Sequence, residues 1–316
     1  MIEVVVTRVT RLAEGIVGVE LRKGNREALP NFEPGAHIDV HLPGGIVRQY
    51  SLCNTPTDLT RYCLGVSRSA TSRGGSAYIH DSLQVGDTLV IGEPRSLFAM
   101  SSDAMHHNFI AGGIGITPIL SMIRACIENG FPWRLTYCVR SRNHAAYLEE
   151  ILSLNGDVHL HVDDEVAEHV NVGAVLSRIR PAEHIYCCGP EGLMAAVEAQ
   201  GKSLELEPSR VHFERFGAAM GPQALMEGSS FTVVLARTGR RYLVESGESI
   251  LECLERNGVA PPFACREGLC RSCEVPLISG EVEHRDYVLS TEEQRAGQSL
   301  MICVSRARTP EIAIDL

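Results

Sequence analysis

Four cysteines near the C-terminus constrain this chain more than any other feature. Cys265, Cys270 and Cys273 read C-x4-C-x2-C within FACREGLCRSCEVPL, and Cys303 follows after a 29-residue gap in MICVSRA. Three sulfurs in one tight loop and a fourth from a distant strand is the plant-type spacing for a [2Fe–2S] cluster. Such a loop sets three thiolates around one cluster and turns backbone N–H groups toward its negative charge. Gly268, inside the loop, tolerates the positive φ that tight folding demands. Structural zinc sites usually arrange their ligands as two close pairs, which this spacing does not match. Disulfides do not suit a chain without an export signal, and MIEVVVTRVT reads as a first strand instead. The pattern predicts an electron carrier.

The 316 residues suffice for two or three domains, each with its own core. No apolar run approaches the roughly 20 residues that span a bilayer, so a soluble, cytoplasmic protein is expected. A net charge of −10 argues against general affinity for nucleic acid or anionic membrane. The seven cysteines outside the motif (Cys53, Cys63, Cys126, Cys138, Cys187, Cys188, Cys253) are expected as small core residues in a reducing compartment.

Residues 1–100 carry short strand-like runs (IEVVVTRVT, GIVGVELRK, HIDVHL, IVRQYSL, YCLGVSR, DTLVIGEP) separated by Gly, Pro, Asn and Asp. That spacing predicts a closed antiparallel β-barrel. Over 101–218 strands alternate with helical stretches, which predicts an α/β domain with a parallel sheet. The strands are HNFIAGG, RLTYCVR, VHLHVDD and HIYCCGP; the helices are PILSMIRACIENG, AAYLEEILSLNG and PEGLMAAVEAQG. Gly217–Ser230, rich in Gly, Ala and Ser, is the expected linker. A hairpin, a helix ending at Gly258 and the cysteine loop fill 229–316.

Two further segments carry chemistry. RQYSL, Arg48 to Leu52, ends a barrel strand. A flavin needs a flat apolar slot, bonds to its ring edge and a counter-charge for its phosphate. Tyr50 would flank the ring, Ser51 would bond near N5 and Arg48 would meet the phosphate. In SRGGSAYIH, Gly74, Gly75 and Ser76 would form a backbone nest for that phosphate. The second segment is AGGIGITPIL, with Gly112, Gly113, Gly115, Thr117 and Pro118 between a strand and a helix. Free N–H groups there attract a pyrophosphate, and Pro118 suits a first helical turn. Its counterpart is Cys188-Gly189-Pro190 after HIYC, at the strand edge where α/β folds bind ligands. Read alone, each segment is as well an ordinary strand or turn; their order gives them weight. Among the histidines, His106–His107 lacks the i, i+4 spacing of a helical metal pair, and His159 and His161 read as strand positions.

That order resembles the phthalate dioxygenase reductase family, with vanillate O-demethylase reductases as close relatives. The resemblance spans essentially the whole chain and implies three modules: an FMN barrel, a pyridine-nucleotide domain and a plant-type ferredoxin domain of β-grasp, α+β fold. It aligns Arg48, Gln49, Tyr50 and Ser51 with the flavin motif and Gly74, Gly75 and Ser76 with the phosphate loop. Gly113, Thr117, Cys188, Gly189 and Pro190 align with the nicotinamide side. Two residues depart from the expected pattern: Ser96 in PRSLF stands where asparagine is usual, and Arg271 where many bacterial relatives have glycine.

The three sites imply one route. Reduced nicotinamide gives up two electrons together, a [2Fe–2S] cluster takes one, and flavin converts between them. Ser51, Thr117 and Cys188 are the expected positioning residues for hydride transfer. The resemblance implies a Rieske-type non-haem iron oxygenase as acceptor and a monomeric reductase. Arg140 and Arg142, after the second α/β strand, suit a 2′-phosphate, whereas the family mostly uses NADH; NADH is expected, with NADPH as the alternative. Delivery to ferric complexes, quinones or a haem protein, and a zinc-holding regulatory protein, are the competing readings.

Overall fold

Strand alternation builds the N-terminal barrel. Its strands are β1 (Ile2–Ala13), β2 (Ile16–Arg22), β3 (His37–Leu42), β4 (Ile46–Ser51), β5 (Tyr62–Ser67) and β6 (Thr88–Ile91). They pair antiparallel in the order β4-β3-β6-β1-β2-β5. A bridge between Leu52 and Leu64 joins the end of β4 to β5 and closes the sheet. Because side chains alternate, Val4, Val6, Leu21, Ile38, Val40, Leu64 and Val66 all point inward and are buried. Each such residue contributes about 1.5–3 kcal/mol relative to exposure. The computed structural model describes residues 1–69, 72, 74–166, 168–217 and 228–316. Arg73 of the expected phosphate loop and residues 218–227 of the expected linker lie outside them.

The second sheet is parallel: β7 (His106–Gly112), β8 (Trp133–Val139), β9 (Asp157–Val162), β10 (Glu183–Cys188) and β11 (Val211–Glu214), ordered β11-β10-β7-β8-β9. Both faces are covered. Phe109, Ala111, Tyr186 and Cys188 pack with the helix Ile116–Asn129, while Ile110, Ile185 and Cys187 pack with the helices Val172–Leu176 and Glu191–Ser203. The long helix stops at Gly130, whose φ of 70° is a left-handed cap. Strand order reverses between β7 and β10, which opens a crevice at their C-terminal ends. The core beneath the helix Ile116–Asn129 also takes in Ile16 and Cys53 from the barrel, so barrel and parallel sheet share buried surface. Together they form one compact unit, Met1–Arg215; Phe216–Leu316 form the other.

Several elements were not foreseen, among them the helices Val172–Leu176 and Thr291–Ala296. The stretch expected as a phosphate nest continues into a helix, Gly75–Asp81, after Gly74 at φ 91°. The fifth parallel strand, VHFE, is short and half-buried throughout, so its pattern carries no clear period.

The second unit contains β12 (Phe231–Leu235), β13 (Arg241–Val244), β14 (Glu274–Ser279), β15 (Val282–Glu283), β16 (Ser299–Met301), β17 (Arg306–Ala307) and β18 (Glu311–Ile314). The main sheet runs β13-β12-β18-β14-β16, and β15 pairs with β17. The hairpin β12–β13 is antiparallel and β12–β18 parallel. The helix Ile250–Arg256 starts at a Ser249/Glu252 capping box and buries Ile250, Leu251 and Leu254 in this unit's core. Among the described residues no helix is long and apolar enough to cross a membrane.

Candidate functional site

The crevice of the parallel sheet is made by glycines that let two loops touch. A Cβ on Gly112 would lie 2.5 Å from Pro190 Cδ and 3.2 Å from Gly189 Cα. A Cβ on Gly115 would lie 2.8 Å from Gly189 N and closer still to the Cys188 carbonyl. Only glycine permits this backbone-to-backbone approach. Gly113, at φ 52°, turns the chain into the helix, and Pro118 sits in its first turn without losing a bond. The expected residues Gly112, Gly113, Gly115, Cys188, Gly189 and Pro190 are therefore brought together.

Thr117 is buried and spends its hydroxyl locally, donating to Ile114 O at 3.0 Å. Its methyl faces Gly65 of β5, where a Cβ would come within 2.6 Å. Gly65 thus sets how closely the barrel meets the crevice, a role its place in YCLGVSR did not signal. Arg140 is exposed at the end of β8. Arg142 is committed to Glu165 through two contacts of 2.6 and 3.0 Å.

On β4 the side chains alternate between two environments. Arg48 lies against the expected phosphate loop: a Cβ on Gly75 would meet its Cγ at 2.5 Å, and one on Gly74 would meet Ile46 Cδ1 at 2.7 Å. Ser76 Oγ bonds Ser72 Oγ at 3.0 Å and accepts from Ser69 N at 3.2 Å. Tyr50 packs beside the barrel core, and burial pushes its phenol up to about 12, moderated by the Arg48 charge. Gln49 points elsewhere, donating to Asp39 Oδ1 at 3.0 Å on β3, so its amide serves the sheet. Ser96, the first departure from the expected pattern, holds a buried hydroxyl without a hydrogen-bond partner.

Ser51 reveals a residue that the sequence hid. Its Oγ donates to Glu214 Oε2 at 3.3 Å. Glu214 ends β11 and is register partner of Cys188. Burial raises the Glu214 carboxyl to about 8, with the Ser51 bond acting in the opposite sense. Cys188 is fully buried, and burial and then the neighbouring Glu214 push its thiol far up. Ser51, Glu214 and Cys188 therefore run as one line from barrel strand to crevice.

In the second unit the cysteine loop folds through left-handed conformations at Arg266 (φ 61°), Gly268 (φ 70°) and Arg271 (φ 57°). A Cβ on Gly268 would lie 2.7 Å from Val304 Cγ2. Backbone N–H groups of Glu267 and Leu269 point at Cys265 Sγ, 3.3 and 3.4 Å away. The neighbouring Cys270 and Cys303 thiols hold the Cys265 thiol down against the effect of burial. The Cys303 thiol likewise lowers Cys273. The four thiols of Cys265, Cys270, Cys273 and Cys303 thus lie close enough to influence one another. All eleven cysteines are free. Among the described residues no three or more His, Cys, Asp or Glu side chains close on a single-ion position. Four gathered thiols, three buried and the half-buried Cys265 faced by two N–H donors, fit a two-iron group held by a pair of sulfurs at each end.

The histidines form a separate cluster. His107, His184 and Tyr186 share one sheet face with His212, where His184 Nδ1 lies 3.0 Å from His212 Nε2. His161 bonds Glu168 O at 3.1 Å and is structural.

Comparison with known proteins agrees with this geometry. Residues 109–199 match the oxidoreductase NAD-binding domain family, and 233–308 the 2Fe-2S iron–sulfur cluster binding domain family. The chain is 42% identical over 304 residues to phenoxybenzoate dioxygenase subunit beta of Ectopseudomonas oleovorans, covering 96% of this chain and 94% of that one. Among solved structures it is similar to phthalate dioxygenase reductase, a modular structure for electron transfer from pyridine nucleotides to [2Fe–2S]. The TM-score there is 0.75, with 36% identity over 100% of this chain and 98% of the other. It is also similar to an intact type IV self-sufficient cytochrome P450 monooxygenase, with a TM-score of 0.89 and 33% identity; the match covers 99% of this chain and 41% of that one. With its glycine-lined crevice, four-thiol loop and full-length likeness, the chain is an oxidoreductase that belongs to the phthalate dioxygenase reductase-like family.

Proposed function

We propose that this chain is the reductase component of an aromatic oxygenase system, carrying electrons from NADH through FMN and a [2Fe–2S] cluster to a Rieske-type oxygenase. The observation that carries the reading is the Ser51–Glu214 bond, which joins the barrel's RQYS segment to the nucleotide crevice within one compact unit. Flavin, when bound, takes electrons as a pair and releases them singly. Arg48 and the backbone of Gly74, Gly75 and Ser76 hold its phosphate, Tyr50 flanks its ring, and Ser51 with Glu214 orients the reacting edge. Gly112, Gly113 and Gly115 receive the dinucleotide's pyrophosphate, with Pro118 holding the helix start and Cys188, Gly189 and Pro190 walling the nicotinamide. Cys265, Cys270, Cys273 and Cys303 ligate the cluster.

The modules divide as 1–100, 101–218 and 229–316. Arg142, neutralised by Glu165, offers little to a 2′-phosphate, which favours NADH; the exposed Arg140 is left to stack on or bond the adenosine end. Eleven free cysteines suit a reducing cytoplasm, and the protein works as a monomer. Likeness to a P450 monooxygenase supports a second reading, in which the acceptor is a haem protein.

The test is anaerobic titration of the purified protein with NADH, followed by visible spectroscopy. Flavin bands and a red-brown envelope should bleach together, consuming more electrons than flavin alone holds. A colourless protein, or colour indifferent to NADH, would overturn the reading. Oxidation of the reduced protein by a Rieske oxygenase, but not by a haem protein, separates the two acceptors.

A further inference from the structure

Position 271 adopts φ 57°, a conformation that costs an ordinary side chain and suits glycine. The chain nonetheless places an arginine there, between Cys270 and Cys273. The guanidinium explains the choice. Nε and Nη2 donate to Val288 O at 3.3 and 3.0 Å, and Nη2 reaches both oxygens of Glu293 at 2.7 and 2.6 Å. Glu274 lies further off at 3.7 Å.

Glu293 is itself fixed. It is the N3 residue of a capping box on the helix Thr291–Ala296, accepting from Ser290 N at 2.7 Å. Arg271 and the Ser290 N–H hold its carboxyl down to about 2, so it stays charged at any working pH. The same segment grips the loop once more, where Tyr287 N donates to Gly268 O at 3.1 Å. Asp286 packs against Gly268, whose added Cβ would lie 3.0 Å from Asp286 Cα. Stretch 286–293 is therefore latched to the cysteine loop at two points, Gly268 and Arg271.

We infer that the Arg271–Glu293 pair is a positioning latch for the cysteine loop and tunes how readily the cluster accepts its electron. The inference rests on the [2Fe–2S] reading above. A four-thiolate cluster has charge −2 when oxidised and −3 after gaining one electron, by the charges of two ferric ions, two sulfides and four thiolates. A cation beside the loop favours the added electron; an anion opposes it. Paired, Arg271 and Glu293 nearly cancel. Unpaired, each should act alone and in opposite directions.

The experiment uses full-length protein with cluster loaded, comparing wild type with Glu293→Gln, Arg271→Gln and Arg271→Lys. Glutamine at 293 preserves the capping box while removing the charge. Cluster midpoint potentials are read by dye-mediated titration under electron paramagnetic resonance, and cluster release by loss of visible absorbance in excess chelator. Glu293→Gln should raise the reduced-to-oxidised ratio at fixed potential by about threefold or more, and Arg271→Gln should lower it similarly. Arg271→Lys should keep the potential but release the cluster several-fold faster, because the forked bonds are lost. Potentials that move in the same direction at both positions, or stay put in both, would overturn the latch. If Arg271→Gln fails to hold a cluster, Glu293→Gln decides alone: an unchanged or lowered potential overturns the inference. Wild-type protein without iron, sulfide or a paramagnetic signal would instead overturn the cluster reading beneath it.

Discussion

Ser51 Oγ donates a hydrogen bond to Glu214 Oε2 across 163 positions of sequence, joining the last residue of a barrel strand to the last residue of the parallel sheet's edge strand. With the Glu214 carboxyl raised to about 8 by burial, it is protonated over most of the neutral range. NADH-driven flavin reduction, followed by stopped flow, should show an inflection near pH 8 that Glu214→Gln removes. Ser51→Ala should slow reduction about tenfold, from loss of roughly 1.5 kcal/mol of oriented hydrogen bonding, and should move the inflection to higher pH. The folded state binds this proton up to about pH 8 and the unfolded state only to about 4.5, so Glu214 erodes stability as pH rises through that window.

Gly115→Ala should damage the nucleotide crevice more than its size suggests. The new Cβ would meet backbone, Gly189 N at 2.8 Å and the Cys188 carbonyl nearer still, and backbone cannot swing aside. The loops must part, and the expected result is a rise of about tenfold or more in the NADH dissociation constant, near 1.4 kcal/mol. Flavin content should stay at the wild-type level, since RQYS is untouched. Calorimetric titration with NADH under anaerobic conditions, or with NAD, reads the change.

Arg48→Ala and Gly75→Ala should share a phenotype. One removes the guanidinium; the other would drive a Cβ to within 2.5 Å of Arg48 Cγ and displace it. Both should lower flavin retained through gel filtration, with loss of about 1.5–3 kcal/mol of charge-assisted binding for Arg48→Ala. The alanine at 75 should cost less, because an arginine side chain can bend. Unchanged flavin content in Arg48→Ala would remove the phosphate assignment.

Acid should weaken the first unit through its histidines. Burial, with repulsion from His106, His184 and His212, lowers His107 to about 4; burial, with repulsion from His184, lowers His212 likewise. Burial also lowers His184, although Asp103 pulls it the other way. The unfolded chain takes up these protons near pH 6.5 and the folded chain only near 4, so stability is intact above 6.5 and falls as pH drops toward 4. The melting temperature should decline by roughly 3–6 °C across that window. His107→Phe, which keeps the stacking on Phe109, should flatten the decline.

The sequence displayed what is local and hid what pairing creates. Cysteine spacing, strand alternation in the barrel and the GGIGITP turn each follow from short-range chemistry, and each stands where it was expected. Glu214 could not be read, because VHFE shows no period and its meaning comes from pairing with β10 and bonding Ser51. Gly65 looked like any strand glycine until Thr117 was found against it. Thr117 and Gln49 stand in the segments singled out, yet their polar groups turn to Ile114 and Asp39, since a motif fixes the backbone and neighbours choose the bond. Arg271 was visible as an oddity; its reason lay in the dihedral and in Glu293.

The core that Ile16 and Cys53 share with Phe109, Ile119 and Tyr186 bears on how such a chain can be taken apart. A cut between barrel and parallel sheet would bare the apolar contact through which Ile16 and Cys53 pack on the sheet, whereas a cut before Phe216 respects the two units. For anyone splicing parts, the electron-accepting front end travels best as one cartridge of two modules, and the four-thiol tail is the piece to swap.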